Sequence, residues 1–262
     1  MKAFLGFMDH SPSEQLVGDP DTWHTTGVVL AEGGKCRLLA DRLAERVNRR
    51  DRRLKKWSSA ATAYRRTFLA GLAAALPGSG VSILATSARE AVIVANRERI
   101  IAELELTGRV AEKPGPRRVT RIRIGPFRRP SGGHYSFELP SNRALMIFWI
   151  AHFIARAHRD MAARLLSLTP PVRGLDWFLY VDKFAGDSPA KSPGAALFQA
   201  LVQHNLRGGN LRTSFFHASA KTPEDLLADN IAGLVNQEAR RRAPSPEFRA
   251  VLSTRQVYWE AG

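Results

Sequence analysis

Cysteine is almost absent from this chain of 262 residues, since Cys36 is the only one. A single cysteine excludes an internal disulfide and any zinc site built from cysteines. The N-terminal sequence also lacks the pattern of a secretory signal, because the apolar run after Lys2 is short and ends at Asp9. Together these features predict a protein of a reducing compartment, the cytoplasm.

A long hydrophobic run is missing as well. The longest, ALMIFWIAHFIA over 144–155, is too short to span a bilayer and contains His152. This run predicts a buried helix, and no membrane is expected among the partners. The apolar fraction of 44% is nevertheless enough for a sizeable core, which excludes a chain that is disordered throughout.

Acidic residues are scarce relative to basic ones. The 24 Asp and Glu residues against 39 Lys and Arg residues give a formal net charge of +15. Such an excess favours a polyanionic partner, with DNA or RNA first and an acidic membrane surface second. The bias has another explanation, since 31 of the 39 basic residues are Arg and a GC-rich coding sequence favours Arg on its own.

Apolar strands alternate with amphipathic helices along the chain. This order predicts a layered α/β or α+β domain over 1–242, followed by an irregular tail over 243–262. The segment 109–143 holds nine basic and two acidic residues and two stretches of alternating pattern. We expect a basic hairpin over 109–140, inserted in the main sheet or lying at its edge. Strands are predicted at 3–9, 25–31, 81–87, 176–182 and 212–219, and helices at about 36–53, 59–76, 88–106, 142–167, 193–206 and 222–242.

Two groups of arginines are candidates for nucleic-acid binding. In a helix over 36–53 the first group would share one face, where like charges repel unless a phosphate backbone balances them. A solvated helix face explains this group equally well. Phe127 and Tyr135 accompany the second group as candidates for base stacking. The first group is Arg42, Arg46, Arg49, Arg50 and Arg53, with Lys56 nearby, and the second is Arg117, Arg118, Arg121, Arg123, Arg128 and Arg129.

Three Asp residues are candidates for metal ligands. Asp9 and Asp182 each end an apolar strand, where an Asp that caps a turn is the alternative. The sequence TPED over 222–225 has the pattern of a capping box, which accounts for the acidic residues of that helix start. Capping does not account for Asp229, which lies a turn deeper among apolar and small residues. A carboxylate there is costly to bury without a partner or a metal.

Four stretches occur in the order of a recognisable pattern: FLGFMDHS at 4–11, LKKWSS at 54–59, WFLYVDKF at 177–184 and HASAKTPEDLLADNIAGLV at 217–235. In these stretches the chain resembles the RNase H-like family catalogued as domain of unknown function 3800. The most specific match is LLADNIAG over 226–233, followed by Lys-Trp-Ser over 56–58.

The resemblance implies an RNase H-like mixed sheet flanked by helices, with Asp9 on the first strand, Asp182 on a later strand and Asp229 on the closing helix. It further implies a two-metal nuclease that uses Mg²⁺ or Mn²⁺, in a defence or mobile-element context and with a protein partner. The chain departs from the family pattern at four positions. Glu, Gly, an acidic residue and Gln of the family are replaced here by His10, Pro12, Leu54 and Leu226.

The sequence therefore predicts a metal-dependent nuclease in which Asp9, Asp182 and Asp229 hold the metal and carry catalysis. His10 and His217 are candidates for auxiliary roles, although a lone strand histidine is more often structural. One alternative is an RNase H-like protein that binds nucleic acid or a protein partner without catalysis. Another is a basic protein associated with the ribosome or a membrane surface, which requires no convergence of the three Asp residues.

Overall fold

A computed structural model gives the coordinates of the chain. Four of the predicted site residues lie outside the described residues: Arg117, Arg118, Arg129 and Asp182. The described residues are 2–12, 16–96, 99, 110–114, 120–128, 132–166, 175–181, 194, 197–198, 201–202, 205–206, 211–217, 222–241 and 243–261.

The described strands form two sheets. The larger is a six-stranded mixed sheet in the order β8-β7-β1-β2-β3-β9, and the smaller has the order β4-β5-β6. In the larger sheet β1, β2 and β3 form an antiparallel meander, β7 and β8 add in parallel beside β1, and β9 pairs in parallel with β3. The strands are β1 (Lys2–Ser11), β2 (Trp23–Ala31), β3 (Val81–Arg89), β4 (Val110–Pro114), β5 (Thr120–Arg128), β6 (His134–Pro140), β7 (Leu175–Val181), β8 (Leu211–His217) and β9 (Val257–Ala261).

Helices pack on both faces of the larger sheet. None of the helices in the described ranges is long and apolar enough to cross a membrane. Much of the helix expected over 88–106 lies outside the described residues, as does most of the one expected over 193–206. The described helices are α1 (Lys35–Val47), α2 (Thr62–Ala75), α3 (Glu90–Ala95), α4 (Ser141–Leu166), α5 (Pro223–Ala239) and α6 (Pro246–Leu252), and Trp57–Ser59 form a short 3₁₀ turn.

Alternation along the strands divides the core into two clusters. Phe4 and Met8 of β1 belong to the cluster formed with α4, whereas Val29 of β2 belongs to the cluster formed with α1, α2 and α5. Side chains of a strand project alternately to opposite faces, so both faces of one sheet can be apolar and covered. The predicted fold class, an α/β fold with a mixed sheet flanked by helices, is confirmed.

Helix α1 ends earlier than the sequence predicts. Asn48 closes it, because the Asn48 Oδ1 accepts from the Asp51 N–H while its Nδ2 donates to the Arg53 carbonyl oxygen. Arg52 adopts a φ of +47°, which is incompatible with a right-handed helix. The prediction of one helical arginine stripe is therefore wrong. Arg42 and Arg46 lie on α1, and Arg49, Arg50 and Arg53 lie in the loop that follows.

The segment around 110–140 forms a sheet of its own instead of a hairpin in the larger sheet. Its three strands pair antiparallel in sequence order. Ile122 and Leu139 are buried and join the core cluster that includes α4. The prediction missed β4 because VAEKP is short and has no β-branched residue after Val110.

The C-terminal residues are also more regular than expected. The prediction of an irregular tail over 243–262 is wrong, because this segment contains α6 and β9. Ser245 caps α6 by accepting from the Phe248 N–H, and Trp259 of β9 packs edge-on against Phe248. A strand of five residues at the edge of a sheet is stabilised by pairing with β3, which local pattern does not reveal.

His158 of α4 is fully buried against Trp177 of β7. The two ring centroids are 4.1 Å apart and the planes are almost perpendicular. Neither imidazole nitrogen of His158 has a hydrogen-bond partner in the described part of the chain. Because burial disfavours the charged imidazolium, it lowers the pKa of His158 to about 4.

Acid should therefore destabilise the protein through His158. The folded state holds this imidazole neutral, whereas the unfolded chain protonates it below about pH 6.5. The free energy of unfolding should fall as the pH decreases from about 6.5 to 4, and the His158 contribution should reach about 3 kcal/mol. His158→Leu should remove this part of the loss in urea unfolding at the two pH values. His134→Leu, at an exposed position on β6, is the control and should keep it. Equal acid sensitivity in both variants would contradict the assignment.

Candidate functional site

Helix α5 begins with the capping box that the sequence predicts. The Thr222 Oγ1 accepts from the Asp225 N–H, and the Asp225 carboxylate accepts from the Thr222 N–H. Pro223 occupies the first turn, where no N–H is required. Capping thus accounts for the acidic first turn, and Asp229 needs a separate explanation.

Asp229 accepts a hydrogen bond from the backbone of a distant loop. Its Oδ2 lies 2.7 Å from the Trp57 nitrogen. The neighbouring Asn230 is fully buried, and its Nδ2 donates to the Lys55 carbonyl oxygen over 2.8 Å. The Lys55 N–H donates to the Tyr64 Oη over 3.0 Å. Three side chains therefore fix the main chain of 55–57 on the surface of α5.

The charge of the Asp229 carboxylate acts on the Tyr64 hydroxyl. Burial raises the pKa of Tyr64, and the negative charge of Asp229 raises it further, while the hydrogen bond from the Lys55 N–H acts in the opposite direction. Tyr64 therefore stays neutral at physiological pH and serves as a hydrogen-bonding group.

Trp57 lies directly on Gly233 of α5. A Cβ added at position 233 would collide with the Cγ and Cδ1 atoms of Trp57. On the indole ring the Arg65 guanidinium lies 5.2 Å from the centroid, and its Nη2 donates to the Trp57 carbonyl oxygen. Gly233 of the closing helix is therefore required by the close approach of the Trp57 loop.

The same helix approaches the sheet at Gly27. A Cβ at position 27 would lie 2.8 Å from the Ala232 nitrogen, so Gly27 faces α5. Gly27 pairs with Asp9 across the antiparallel β1–β2 ladder, and directly opposite residues project to the same face. The structure therefore brings Asp9 and Asp229 to the same side of the sheet, at the end of β1.

The third predicted carboxylate, Asp182, is outside the described residues. Strand β7 is described as far as Val181, which pairs in parallel with Met8. In the sequence Asp182 follows Val181 as Asp9 follows Met8. Convergence of the three carboxylates stays a prediction.

Of the two auxiliary histidines, His10 is not brought to this face. His10 donates its N–H to the Asp9 Oδ1 over 2.8 Å, but it is the next residue of a regularly paired strand. Its side chain therefore projects to the opposite face, toward α4. His217 ends β8 beside Val181, and only its backbone is described.

The described residues do not form a metal site on their own. No group of three or more His, Cys, Asp or Glu side chains within the described ranges is placed to hold a metal ion. Asp9 and Asp229 are two carboxylates on one face, and the Asp229 Oδ2 is already bound to the Trp57 N–H. Mg²⁺ is commonly held by one or two carboxylates together with waters and substrate phosphates. Asp9 and Asp229 alone therefore do not complete such a site.

A basic loop, residues 48–56, leads to Trp57, whose N–H binds Asp229. All six of its Lys and Arg side chains are exposed, and Asp51 is its one acidic residue. Sequence analysis missed two of the six, although their position between predicted basic residues was a usable signal. The six are Arg49, Arg50, Arg52, Arg53, Lys55 and Lys56.

The second predicted group of arginines is only partly described. Arg121 is half-buried, and Arg123 is exposed and lies opposite Glu138 on β6. Tyr135, a predicted stacking residue, is half-buried on the same small sheet. Arg128 and Phe127 lie on β5, where only their backbone is described. This group supplies no compact site among the described residues.

Comparison with known proteins adds one structural likeness. No family model and no curated protein matches the chain. The chain is similar to the ribonuclease H2 from Pyrococcus horikoshii OT3, with 13% identity and a TM-score of 0.32 over 94% of this chain and 83% of that chain. With a TM-score of 0.32, this likeness adds nothing to the strand order and helix packing of the structure itself.

Replacing Gly233 by Ala should disrupt the packing of Trp57 on α5. The added methyl group has no space beneath Trp57, so we expect a loss of about 1–3 kcal/mol in the free energy of unfolding. Gly71→Ala in α2 is the control, because a Cβ there meets only the flexible ends of Leu43 and Arg46, at 3.2 and 3.3 Å. Higher helix propensity of Ala should offset that crowding. Similar melting temperatures for the two variants would show that Trp57 is free to move.

Proposed function

We propose that this protein binds nucleic acid through the basic loop beside Asp9 and Asp229. The proposal rests on one observation: exposed basic side chains lie on a loop whose backbone is held in place at one end. Six basic side chains lie within 49–56, and the backbone at the end of that loop is fixed by Asp229, Asn230 and Tyr64.

Charge supports this proposal. The loop carries six cations and one carboxylate, Asp51, so its own charge is strongly positive. A phosphate backbone supplies regularly spaced negative charges and releases counterions when it binds. A loop that is held in place before binding loses little conformational freedom on association. The loop is therefore suited to phosphate contacts that do not depend on base sequence.

Neutralising three loop arginines should weaken this binding. Arg49→Gln, Arg50→Gln and Arg53→Gln together should lower affinity and reduce the slope of log K against log salt by about 0.7–0.9 for each lost phosphate contact. Fluorescence anisotropy of a labelled oligonucleotide between low and moderate salt measures both effects.

A matched control removes the same charge elsewhere. Arg240, Arg249 and Arg255 are exposed near the C-terminus, and their replacement by Gln should leave the slope close to that of the wild type. If both triple variants lose affinity equally, net charge alone drives binding and the loop is not the site.

A second candidate function is metal-dependent hydrolysis of phosphodiesters in the same region, around Asp9 and Asp229. Asp9 and Asp229 lie on one face of the sheet, and the described part of β7 ends beside β1 one residue before Asp182. These placements support a site in which the three Asp residues hold Mg²⁺ or Mn²⁺. When bound, such an ion supplies Lewis acidity and an activated water. Membership in the family catalogued as domain of unknown function 3800 is part of this proposal.

Asp9, Asp229 and the basic loop would have different roles at that site. Asp9 projects from a rigid strand, so its carboxylate is held in a fixed position. Asp229 would act in two ways, because one oxygen positions Trp57 and the carboxylate charge adds to the metal site. The basic loop would hold the phosphate backbone of the substrate against this edge of the sheet.

Asn substitutions should separate hydrolysis from binding. Asp9→Asn and Asp182→Asn should each abolish cleavage of mixed nucleic acids in Mn²⁺ and remove the rise in melting temperature that Mn²⁺ causes in the wild type. Both variants should still bind oligonucleotides, since the loop is intact. A wild-type protein whose melting temperature does not respond to Mn²⁺, and which cleaves nothing, would leave binding as the function.

A further inference from the structure

A groove lies between helix α1, the basic loop and the first turn of α5. Its volume is about 460 Å³, which is within the range of pockets that hold small molecules, about 300–1,000 Å³. Residues 51–54 of the basic loop line one side of it. The groove is therefore formed in part by the same loop that we propose binds nucleic acid.

The floor of the groove is apolar. Ala44 of α1 and Leu54 of the loop line it and are buried. Pro223 and Leu226 of α5 line it as well and are half-buried. Ligand pockets commonly combine such apolar surface with a few polar groups that fix the orientation of the ligand. A ligand of this groove therefore needs an apolar part that can cover the floor.

The charged residues of the groove differ in whether other residues neutralise them. The Arg37 Nε donates to both Asp41 carboxylate oxygens over 3.1 and 3.0 Å, and the Arg37 Nη1 lies 3.9 Å from the Glu224 Oε2. Arg52 and Arg53 line the groove from the loop side, are exposed, and form no ion pair with a residue in the described part of the chain. The loop side of the groove is therefore the side that attracts an anion.

The backbone that carries these two arginines is held in place. The Arg52 N–H donates to the Asn48 carbonyl oxygen over 2.8 Å. The Asn48 Nδ2 donates to the Asp51 Oδ2 and to the Arg53 carbonyl oxygen, both over 3.3 Å. Arg52 has a φ of +47°, which residues with a side chain rarely adopt and which is more frequent at binding sites. The loop therefore has little backbone freedom left to lose when a ligand binds.

We propose that this groove holds one unpaired nucleotide of the bound nucleic acid, an inference that rests on the proposed binding function. The phosphate of this nucleotide binds Arg52 and Arg53, whose guanidinium groups suit phosphate oxygens, and its base covers the apolar floor. Asp41 and Asp51 accept hydrogen bonds from amino or hydroxyl groups of the nucleotide, because a carboxylate has more lone pairs than their present partners use. A paired base is stacked within its duplex and reaches such a groove only when it leaves the stack.

Other anionic ligands fit the groove less well. Inorganic phosphate would bind the arginines and leave the apolar floor uncovered. An acidic peptide would bring further carboxylates close to Asp41 and Asp51, and like charges repel. A nucleotide combines one anionic group with an apolar ring and several hydrogen-bond donors, which matches the three kinds of surface in the groove.

Mononucleotide binding measures the contribution of the base. The probes are AMP, ribose 5-phosphate, inorganic phosphate and a labelled single-stranded oligonucleotide, all in EDTA so that no metal-dependent cleavage occurs. In isothermal titration calorimetry AMP should bind the wild type about 10-fold more tightly than ribose 5-phosphate, which lacks only the base. Burial of about 60 Å² of apolar base surface is sufficient for this factor.

Two pairs of loop arginines separate the groove from the general charge of the loop. Arg52→Gln together with Arg53→Gln should lower the affinity for AMP about 10-fold or more, because hydrogen bonds to charged groups are lost. Arg49→Gln together with Arg50→Gln removes the same charge from residues outside the groove lining and should leave AMP binding close to that of the wild type. Both pairs should weaken binding of the oligonucleotide.

A change in the floor tests the position of the base. Leu226→Gln replaces an apolar lining residue by a polar one of similar length that keeps helix propensity. It should reduce the preference for AMP over ribose 5-phosphate and leave the affinity for ribose 5-phosphate unchanged. Melting curves identify a variant that fails to fold, and in that case the comparison of the two arginine pairs still decides the proposal.

Three results would overturn the inference. Equal wild-type affinity for AMP and ribose 5-phosphate, or binding of the oligonucleotide without AMP, would show that no base enters the groove, and the proposed function would stand. Equal losses of AMP affinity in the two arginine pairs would show that only the charge of the loop matters. Failure of the wild type to bind any probe would remove the proposed function together with the nucleotide groove.

Discussion

The hydrogen bond from the Trp57 N–H to the Asp229 carboxylate joins segments that are 172 residues apart in the chain. It holds the loop before α2 on the helix that closes the fold. Asn230 and Gly233 act with it, the first by binding the Lys55 carbonyl oxygen and the second by leaving space for the indole ring. The stretch LLADNIAG over 226–233, a candidate catalytic element in the sequence, therefore holds the Trp57 loop against α5.

A structural role and a metal-binding role for Asp229 are compatible. A carboxylate has two oxygens and several lone pairs, and the Trp57 N–H occupies one of them. The hydrogen bond supplies the partner that a carboxylate in this environment requires. The structural role is therefore sufficient to explain Asp229 without a metal.

A part of the basic charge of the protein lies in the loop that follows α1. Asn48 ends α1 and releases the following arginines into a loop. The loop returns to α5 at Lys55, whose carbonyl oxygen binds Asn230, so its cations do not continue along α1.

Periodicity and capping patterns determined much of the fold from sequence alone. The central strands, the long helix α4 and the capping box of α5 all follow from local preferences that act over a few residues. The sequence also identified Asp9, Asp229 and the Lys-Trp-Ser stretch as unusual. It could not place them together, because the contacts that do so join residues far apart in the chain.

Only the tertiary structure decided which neighbours these residues have. The separate sheet of β4, β5 and β6 and the pairing of β9 with β3 depend on long-range packing and hydrogen bonds, which override weak local propensity. The same holds for Phe7 and Tyr180, which are ordinary apolar strand residues in the sequence. Their stacking arises from the parallel register of β1 and β7, and that register exists only in the folded sheet.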